Sequence, residues 1–449
     1  MTKKINLFAN LKSDFASRLV VFLVALPLCL GIAMASGAPL FSGIIAVVIG
    51  GIVVGYLSQS HISVSGPAAG LTAIILTAIT DFGAFDVFLL SVFIAGLIQL
   101  ALGFLKAGSI SNYFPTNVIE GMLAGIGIII ILKQIPHAFG YDADFEGDQA
   151  FIQNDGSNSF SFLFDVLNHI NLGAVVISLI SLVILISWDK VPFLKRLKLV
   201  PGALVAVILG VLLNEFFIST GSSLAIAKEH LVSLPVPKSF DDFKSIIITP
   251  NFSAVTNPQV WVVAVTIAIV ASIETLLCIE ASDRMDVQKR YTDTNVELRA
   301  QGIGNIASSL LGGLPMTSVV VRSSANNNAG AKSKMSSIIH GVLLLISVLS
   351  IPAILNKIPL ATLATVLILV GYKLAKPATF MHFWEKGKYQ FVPFIATLVF
   401  VVATDLLKGV ALGIIISIIF VLRGNLKRAY IFKKEEYEDG DVIHIDLAQ

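Results

Sequence analysis

Charged side chains are scarce in this chain: Asp, Glu, Lys and Arg make up 13% of its 449 residues, about half their share in a soluble domain. So few charges cannot cover a water-facing surface, and a soluble globular protein is excluded. Cysteine is scarcer still. Cys29 and Cys278 are the only two, and both fall inside apolar runs, so there is neither a disulfide framework nor a cysteine metal cluster. No sign of charge dominates either: the net charge is +2, and the basic residues lie between apolar runs instead of along one face. Nucleic acid is therefore not a partner. Paired His, His-Glu metal motifs and Ser-His arrangements are missing from the apolar runs, which argues against an intramembrane enzyme, and no cofactor is expected. The polar stretch from Met1 to Arg18 leads into an apolar run that continues into further runs, so no cleaved signal peptide is expected.

What the chain has in abundance is hydrophobic sequence, 55% of all residues. Apolar stretches near the length that spans a bilayer run Leu19–Ala35, Leu40–Leu57, Phe88–Leu105, Val118–Leu132, Leu172–Trp188, Val200–Phe217, Trp261–Ile279, Met335–Ile351, Phe391–Ala403 and Gly409–Leu422. Weaker segments lie at Gly66–Thr80, Val296–Leu311, Pro315–Ala329 and Leu360–Tyr372. The pattern predicts an all-α membrane protein of fourteen segments, seven on each side of a polar linker, with the second seven inverted relative to the first. The boundaries are a cytoplasmic N-terminus over 1–17, a first repeat over 18–217, an extracytoplasmic linker over 218–258, a second repeat over 259–424 and a cytoplasmic tail over 425–449.

Lys and Arg set the orientation. With the N-terminus inside, the loops with Lys106, with Lys190 to Lys198, with Arg284 to Arg290, with Lys332 and Lys334, and with Lys373 to Lys388 all fall in the cytoplasm, as does the tail from Arg423. The acidic stretch Asp142, Asp144, Glu146, Asp148 and Asp155 falls outside. This is the arrangement of a multi-pass plasma (inner) membrane protein embedded in lipid, with both termini cytoplasmic. Val442 to Leu447 alternates like a strand, and a lone strand buries nothing, so it needs a partner.

Two proline-headed stretches, Ser65-Gly66-Pro67-Ala68-Ala69-Gly70 and Gly312-Gly313-Leu314-Pro315-Met316-Thr317, sit at matching places in the two halves. Interrupted segments in corresponding positions are how inverted-repeat transporters aim half-helix N-termini at the bilayer midplane, where N–H groups and the helix dipole can hold an anion. The expected half-helices start at Pro67 and Pro315, offering the N–H groups of Ala68, Ala69 and Gly70 and of Met316, Thr317 and Ser318. Small side chains there let an anion approach the backbone. Arg322, two turns past Pro315, is an intramembrane cation that needs a reason: it raises the potential at the site, pairs with Glu274, or snorkels toward Lys332. Glu274 lies mid-span, and an ionised carboxylate there repels an anion. Binding H+ or Na+ would neutralise it, which makes it the candidate coupling residue.

Val24-Ala25-Leu26-Pro27-Leu28-Cys29-Leu30-Gly31 through Gly37, Val64 to Ala69, Ser272-Ile273-Glu274-Thr275-Leu276-Leu277 and Ala281-Ser282-Asp283-Arg284-Met285 resemble, in order, the motifs of the SulP family of inorganic anion transporters. The resemblance covers essentially the whole chain. It implies core and gate domains with the anion between the third and tenth segments, homodimerisation, and a cytoplasmic STAS domain whose first strand Val442 to Leu447 resembles. The sequence departs from the family pattern in places. Ala38-Pro39-Leu40-Phe41-Ser42-Gly43 lacks the Glu that members often carry after the first span. Positions aligned with a Gln and two Ser that line the site in some members are Leu28, Val319 and Val321. In sodium-coupled bicarbonate relatives a carboxylate matching Glu274 looks like part of the sodium site, but Cys278 replaces their Thr, and a thiol is a poor ligand for a hard cation.

The expected function is secondary-active transport of bicarbonate or sulfate, coupled to H+ or Na+. The candidate substrate residues are Ser65, Gly66, Pro67, Ala68 and Ala69, then Pro315, Met316, Thr317, Ser318, Val319, Val320, Val321 and Arg322, with Leu28 and Ile32 on the first span. Glu274 and Cys278 are the candidate coupling pair. The rival readings are an uncoupled exchanger or channel and a nucleobase transporter of the same fold, which would usually carry a second carboxylate near Arg322.

Overall fold

The computed structural model describes residues 11–142, 163–195, 201–234, 247–427, 430–437 and 440–447. Asp144, Glu146, Asp148 and Asp155 of the expected outer acidic stretch, Arg196, Lys198 and residues 1–10 lie outside these. Helix α1 spans Leu11–Ala35, and α2 starts at Leu40–Ile49 and continues through a π turn, Gly50–Val54, into Gly55–Leu57. The first half continues with α3 Thr72–Phe82, α4 Phe85–Phe104, α5 Thr116–Ala138, α6 Leu172–Lys190 and α7 Gly202–Ser219. The second half comprises α8 Pro258–Met285, α9 Thr294–Leu310, α10 Val320–Asn328, α11 Met335–Ser350, α12 Leu360–Leu374, α13 Lys388–Ala403 and α14 Leu406–Lys427. Among the described residues, eight helices are long and apolar enough to cross a membrane, and four shorter apolar helices accompany them.

Local chemistry explains where the helices start. Pro258 occupies the first turn of α8, while the Asn257 side chain accepts from the Gln259 N–H, and Asp293 caps α9 by accepting from Asn295 and Val296. The helices pack at glycine contacts that let backbones touch. A Cβ on Gly96 of α4 would stand 2.8 Å from the Gly302 carbonyl of α9, and one on Gly127 of α5 would stand 2.6 Å from the Gly371 carbonyl of α12. A Cβ on Gly51 of α2 would stand 2.8 Å from Cα of Gly341 on α11. Without a hydrophobic drive between helices in lipid, such small-residue contacts hold the bundle through dispersion. One large apolar cluster joins Val24 and Leu28 of α1 and Met122 and Ile126 of α5 to Leu277 and Cys278 of α8, Val320 and Val321 of α10 and Val366 of α12.

Lys133 is buried in α5. The strand expected near Val442 is β4, Gly440–Leu447, and its partner is β3, Tyr430–Tyr437, in an antiparallel hairpin. The basic residues around Lys433 had concealed β3 as part of a solvated tail.

At the end of the bundle where α5 finishes, His137 Nδ1 and His230 Nδ1 each lie 2.5 Å from one oxygen of Asp142, clamping the segment after α7 to α5. Burial alone would push the Asp142 carboxyl up, but the hydrogen bonds from the two histidines outweigh it and hold it below its ordinary value. His230 is raised, chiefly by its hydrogen bond to Asp142. The stability from Asp142 is present above its unfolded value near about pH 4 and lost as pH falls through the lowered folded value. That from His230 is complete below about pH 6.5 and lost as pH rises through the raised folded value. Asp142→Asn should therefore lower the thermal midpoint in detergent most at about pH 5 to 6 and less at alkaline pH. A deficit independent of pH would show that the clamp carries no charge.

Candidate functional site

The two proline-headed stretches meet in space. Ser65–Pro67 forms β1 and Met316–Ser318 forms β2, and they pair antiparallel with Ser65 opposite Ser318, Gly66 opposite Thr317 and Pro67 opposite Met316. Both strands are fully buried. This corrects the expected helix starts. Neither half-helix begins at its proline: α3 is entered through a 3₁₀ turn, Ala69–Leu71, and α10 begins at Val320 behind the extended Val319. Pro67 has no N–H and breaks the helix, while the β-branched Val319 favours the extended conformation it adopts before α10.

The N–H groups expected from Met316 and Ser318 are accordingly engaged. Met316 donates to Asn305 Oδ1 at 2.7 Å, and Ser318 donates to Thr275 Oγ1 at 3.4 Å. Val319 donates to the Val64 carbonyl, and Ser63 and Ser318 share a hydroxyl hydrogen bond of 2.5 Å. At the helix starts, the N–H groups of Gly70 and Val320 meet side chains of α8 instead of backbone.

Helix α8 presents a side chain to each start. The Glu274 carboxylate sits against the Gly70 N–H and the Thr317 hydroxyl, close enough that a Cβ on Gly70 would stand 3.1 Å from Oε2. One turn on, the Cys278 sulfur faces the Val320 N–H. The carboxylate thus lies where an anion would lie at the N-terminus of α3.

Arg322 is the largest fully buried side chain, and none of its three guanidinium nitrogens has a hydrogen-bond partner. It makes no ion pair with Glu274 and does not snorkel. The expected pairing is corrected because the two charges lie on different sides of the crossing: Glu274 touches α3, whereas the guanidinium fills the space a Cβ on Gly66 would need, with Cys29 of α1 bearing on its charge. Leu28 packs with Val320, Val321 and Cys278, while Ile32 packs with Ala68 and Leu71 at the start of α3. Val319 borders the first of these clusters. Ser65, Gly66, Pro67, Thr317, Ser318, Val320, Val321, Leu28, Glu274 and Cys278 are thereby gathered around one junction. Pro315 precedes it and makes no part of either helix start.

Sequence reasoning missed the side chains that hold the crossing. Gln301 Nε2 donates to Ser65 Oγ at 2.7 Å and to Glu297 Oε1 at 3.0 Å, and Ser58 donates to Glu297 Oε2 at 2.5 Å. Asn305 Nδ2 donates to Gln99 Oε1 and to the Met316 carbonyl, so Asn305 serves both backbone groups of Met316. Ser323 and Asn326 of α10 bind the Val64 N–H and the Ile62 carbonyl. The available signal was spacing: Glu297, Gln301 and Asn305 recur every four residues and share one face of α9.

Gly66→Ala is expected to force the buried Arg322 guanidinium to move and to destabilise the fold by about 1–3 kcal/mol, read as a lower thermal midpoint in detergent. An unchanged midpoint would mean that Arg322 has room to withdraw.

The sequence matches the model of the sulfate permease family over residues 11–397. YvdB of Bacillus subtilis, named as a candidate sulfate transporter, is 28% identical over 434 residues, which cover 95% of this chain and 76% of that one. The bicarbonate transporter BicA of Picosynechococcus is 24% identical over 93% of this chain and 71% of its own. Among solved structures, the transmembrane domain of a cyanobacterial BicA aligns with a TM-score of 0.59 at 23% identity, covering 92% of this chain and 98% of that one.

Proposed function

Because the chain belongs to the sulfate permease family, a family of membrane anion transporters and not of enzymes, we propose that it carries sulfate or bicarbonate, bound at the junction of α3 and α10. The observation that carries this reading is the pairing of β1 with β2, which turns two helix starts toward one point. Backbone donors, the Thr317 hydroxyl and the field of Arg322 suit a compact oxoanion. Arg322, where a nucleobase transporter would usually have a second carboxylate, favours an anion.

Coupling follows from Glu274. Ionised, it occupies the α3 terminus with its own negative charge; neutralised, it releases that terminus to substrate. Moving one negative charge inward costs about 2.3 kcal/mol per 100 mV, which a co-transported cation cancels for a monovalent anion. Cys278 beside Glu274 makes a hard-cation shell poor, so H+ is the favoured partner over Na+. Transport then proceeds by movement of a core domain against a gate domain, along the apolar seam where Leu28, Val320 and Val321 meet α5 and α12.

The seven-plus-seven organisation is supported by the contact pattern. Adding or subtracting seven carries the α4–α9 pair into α11–α2, the α6–α12 pair into α13–α5 and the α4–α8 pair into α11–α1, and all of these pairs are in contact. It also carries α5–α12 and β1–β2 into themselves. An inner-membrane location with cytoplasmic termini and a homodimer complete the reading.

Uptake of labelled sulfate and labelled bicarbonate into proteoliposomes under a proton gradient, a sodium gradient or neither tests this. Accumulation of one anion under the proton gradient is expected, and Glu274→Gln should reduce it to simple equilibration while exchange persists. Equal flux of both anions regardless of gradient would replace the symporter with an exchanger or channel. Undiminished accumulation in Glu274→Gln would make Glu274 structural.

A further inference from the structure

Behind the crossing, on the side away from Glu274, lies a second group of buried polar atoms. His340 of α11 is fully buried, and neither ring nitrogen has a hydrogen-bond partner. The charge acting on it is that of Arg322, whose own nitrogens are equally unpartnered. Buried polar groups in native proteins are almost always satisfied, so each exception calls for an explanation. Here two stand together.

The backbone explains how they come together. The π turn of α2 lies between β1 and α11: a Cβ on Gly50 would stand 2.6 Å from the Ser65 carbonyl, while Gly51 touches Gly341, the neighbour of His340. Single π turns inside helices concentrate at functional sites. From the α2–α11 contact, Ser336, Ser337 and His340 run up α11 at positions i, i+1 and i+4, so Ser336 and His340 share one face with Ser337 beside it. All three are buried, and the hydroxyls of Ser336 and Ser337 are also without partners. A Cβ on Gly55 would stand 3.2 Å from Ser337 Oγ, so α2 opposes this stripe with glycine instead of apolar side chains. The stripe begins beside Lys334, which donates to the Tyr56 and Ser58 carbonyls at the end of α2.

We propose that His340 is a proton-binding site, reached along Ser336 and Ser337, whose occupancy is linked through Arg322 to the anion at the crossing. This rests on the transport reading above. With the crossing empty, a proton on His340 would face the Arg322 cation with nothing opposing either charge. An anion at the junction supplies the opposing charge, so anion and proton favour each other, and the linkage is reciprocal. The proton is taken from water onto the free imidazole nitrogen and returned to water when the anion leaves; no other bond changes. Among the described side chains, the titratable or charged groups on the elements packed against α11 are Cys29 of α1 and Tyr56 at the far end of α2, with Lys334 just before α11 and Arg322 of α10 as the charge that bears on His340.

The test uses purified protein in lightly buffered detergent with a pH-indicator dye, at about pH 5 to 8, where histidine titrates. Sulfate is the probe because, unlike bicarbonate, it takes up no proton itself in that range. Wild type is expected to take up protons when sulfate is added and to bind sulfate more tightly on acidification, by up to about tenfold per pH unit for each proton taken up. His340→Gln, or His340→Asn if the first fails to fold, should bind sulfate with a shallower pH dependence and take up fewer protons, the remainder being the Glu274 share, while Glu274→Gln retains the His340 share. Proton uptake unchanged in both His340 variants overturns the inference, as does sulfate binding by wild type without any proton uptake. Failure of wild type to bind sulfate at any pH overturns it too; persisting bicarbonate uptake in proteoliposomes would then leave the transport reading standing.

Discussion

A membrane helix that breaks must find partners for the backbone groups it frees, because lipid offers none. Two breaks facing each other solve this jointly. The residues β1 loses from α3 pair with those β2 loses from α10, and other amides are served by side chains: Asn305 for Met316 and Thr275 for Ser318, from helices that never break, and Ser323 of α10 itself for Val64. Most other features around the junction follow from this. Gly66 has no side chain because a guanidinium needs the space, and Gly50 has none because α2 must reach the Ser65 carbonyl. The polar face of α9 exists because the strands need donors and acceptors inside an apolar bundle.

The same geometry separates the charges. Glu274 and Arg322 are the kind of buried pair expected to neutralise each other, yet each is directed elsewhere, the carboxylate to the start of α3 and the guanidinium to the far side of Gly66. A paired Arg and Glu would cancel at the junction and leave an anion little to bind. Held apart, they act with opposite sign on whatever lies between them, so the charge state of the junction depends on protonation and occupancy. Burying an unpaired guanidinium is expensive, and on the proposed reading a bound anion supplies the opposing charge.

The sequence disclosed those parts of the architecture that rest on period and punctuation. Apolar runs located the helices, though Leu19–Ala35 missed the start of α1 at Leu11 and Val118–Leu132 and Trp261–Ile279 stopped short of Ala138 and Met285, and the paired Gly-Pro and Leu-Pro breaks located the junction. The offsets were not legible. Pro67 and Pro315 read as helix starts because proline is favoured in a first turn, but pairing with a distant strand outcompeted that local preference and moved the starts to Ala69 and Val320. The direction of Arg322 depends on which neighbour lacks a Cβ, a fact about Gly66 across 256 residues of chain, being 322 minus 66. Glu297, Gln301 and Asn305 were visible as a polar stripe, but nothing local distinguished a stripe that serves a backbone from one that faces water. His340 was hidden in the same way within an apolar helix.

What remains to explain is how a junction without a dedicated cationic side chain in contact with its ligand can discriminate. The lining nearest the helix starts consists of Leu28, Val319, Val320 and Val321, where some family members place a Gln and two Ser. Apolar walls cannot read an oxoanion, so recognition on the proposed reading falls to backbone N–H groups and the Thr317 hydroxyl, which are fixed in direction but indifferent to identity. Backbone donors of this kind select for charge and size more than for shape, and they bind weakly enough to release. Tightness must then come from the electrostatic background, set by Arg322 and opposed by Glu274. In such a site the coupling ion determines affinity as much as the substrate does, because neutralising one carboxylate changes the balance of the whole junction. On the proposed reading, the Cys278 thiol stands beside that carboxylate where a hydroxyl would offer a hard oxygen, which favours the proton, a cation that needs no coordination shell.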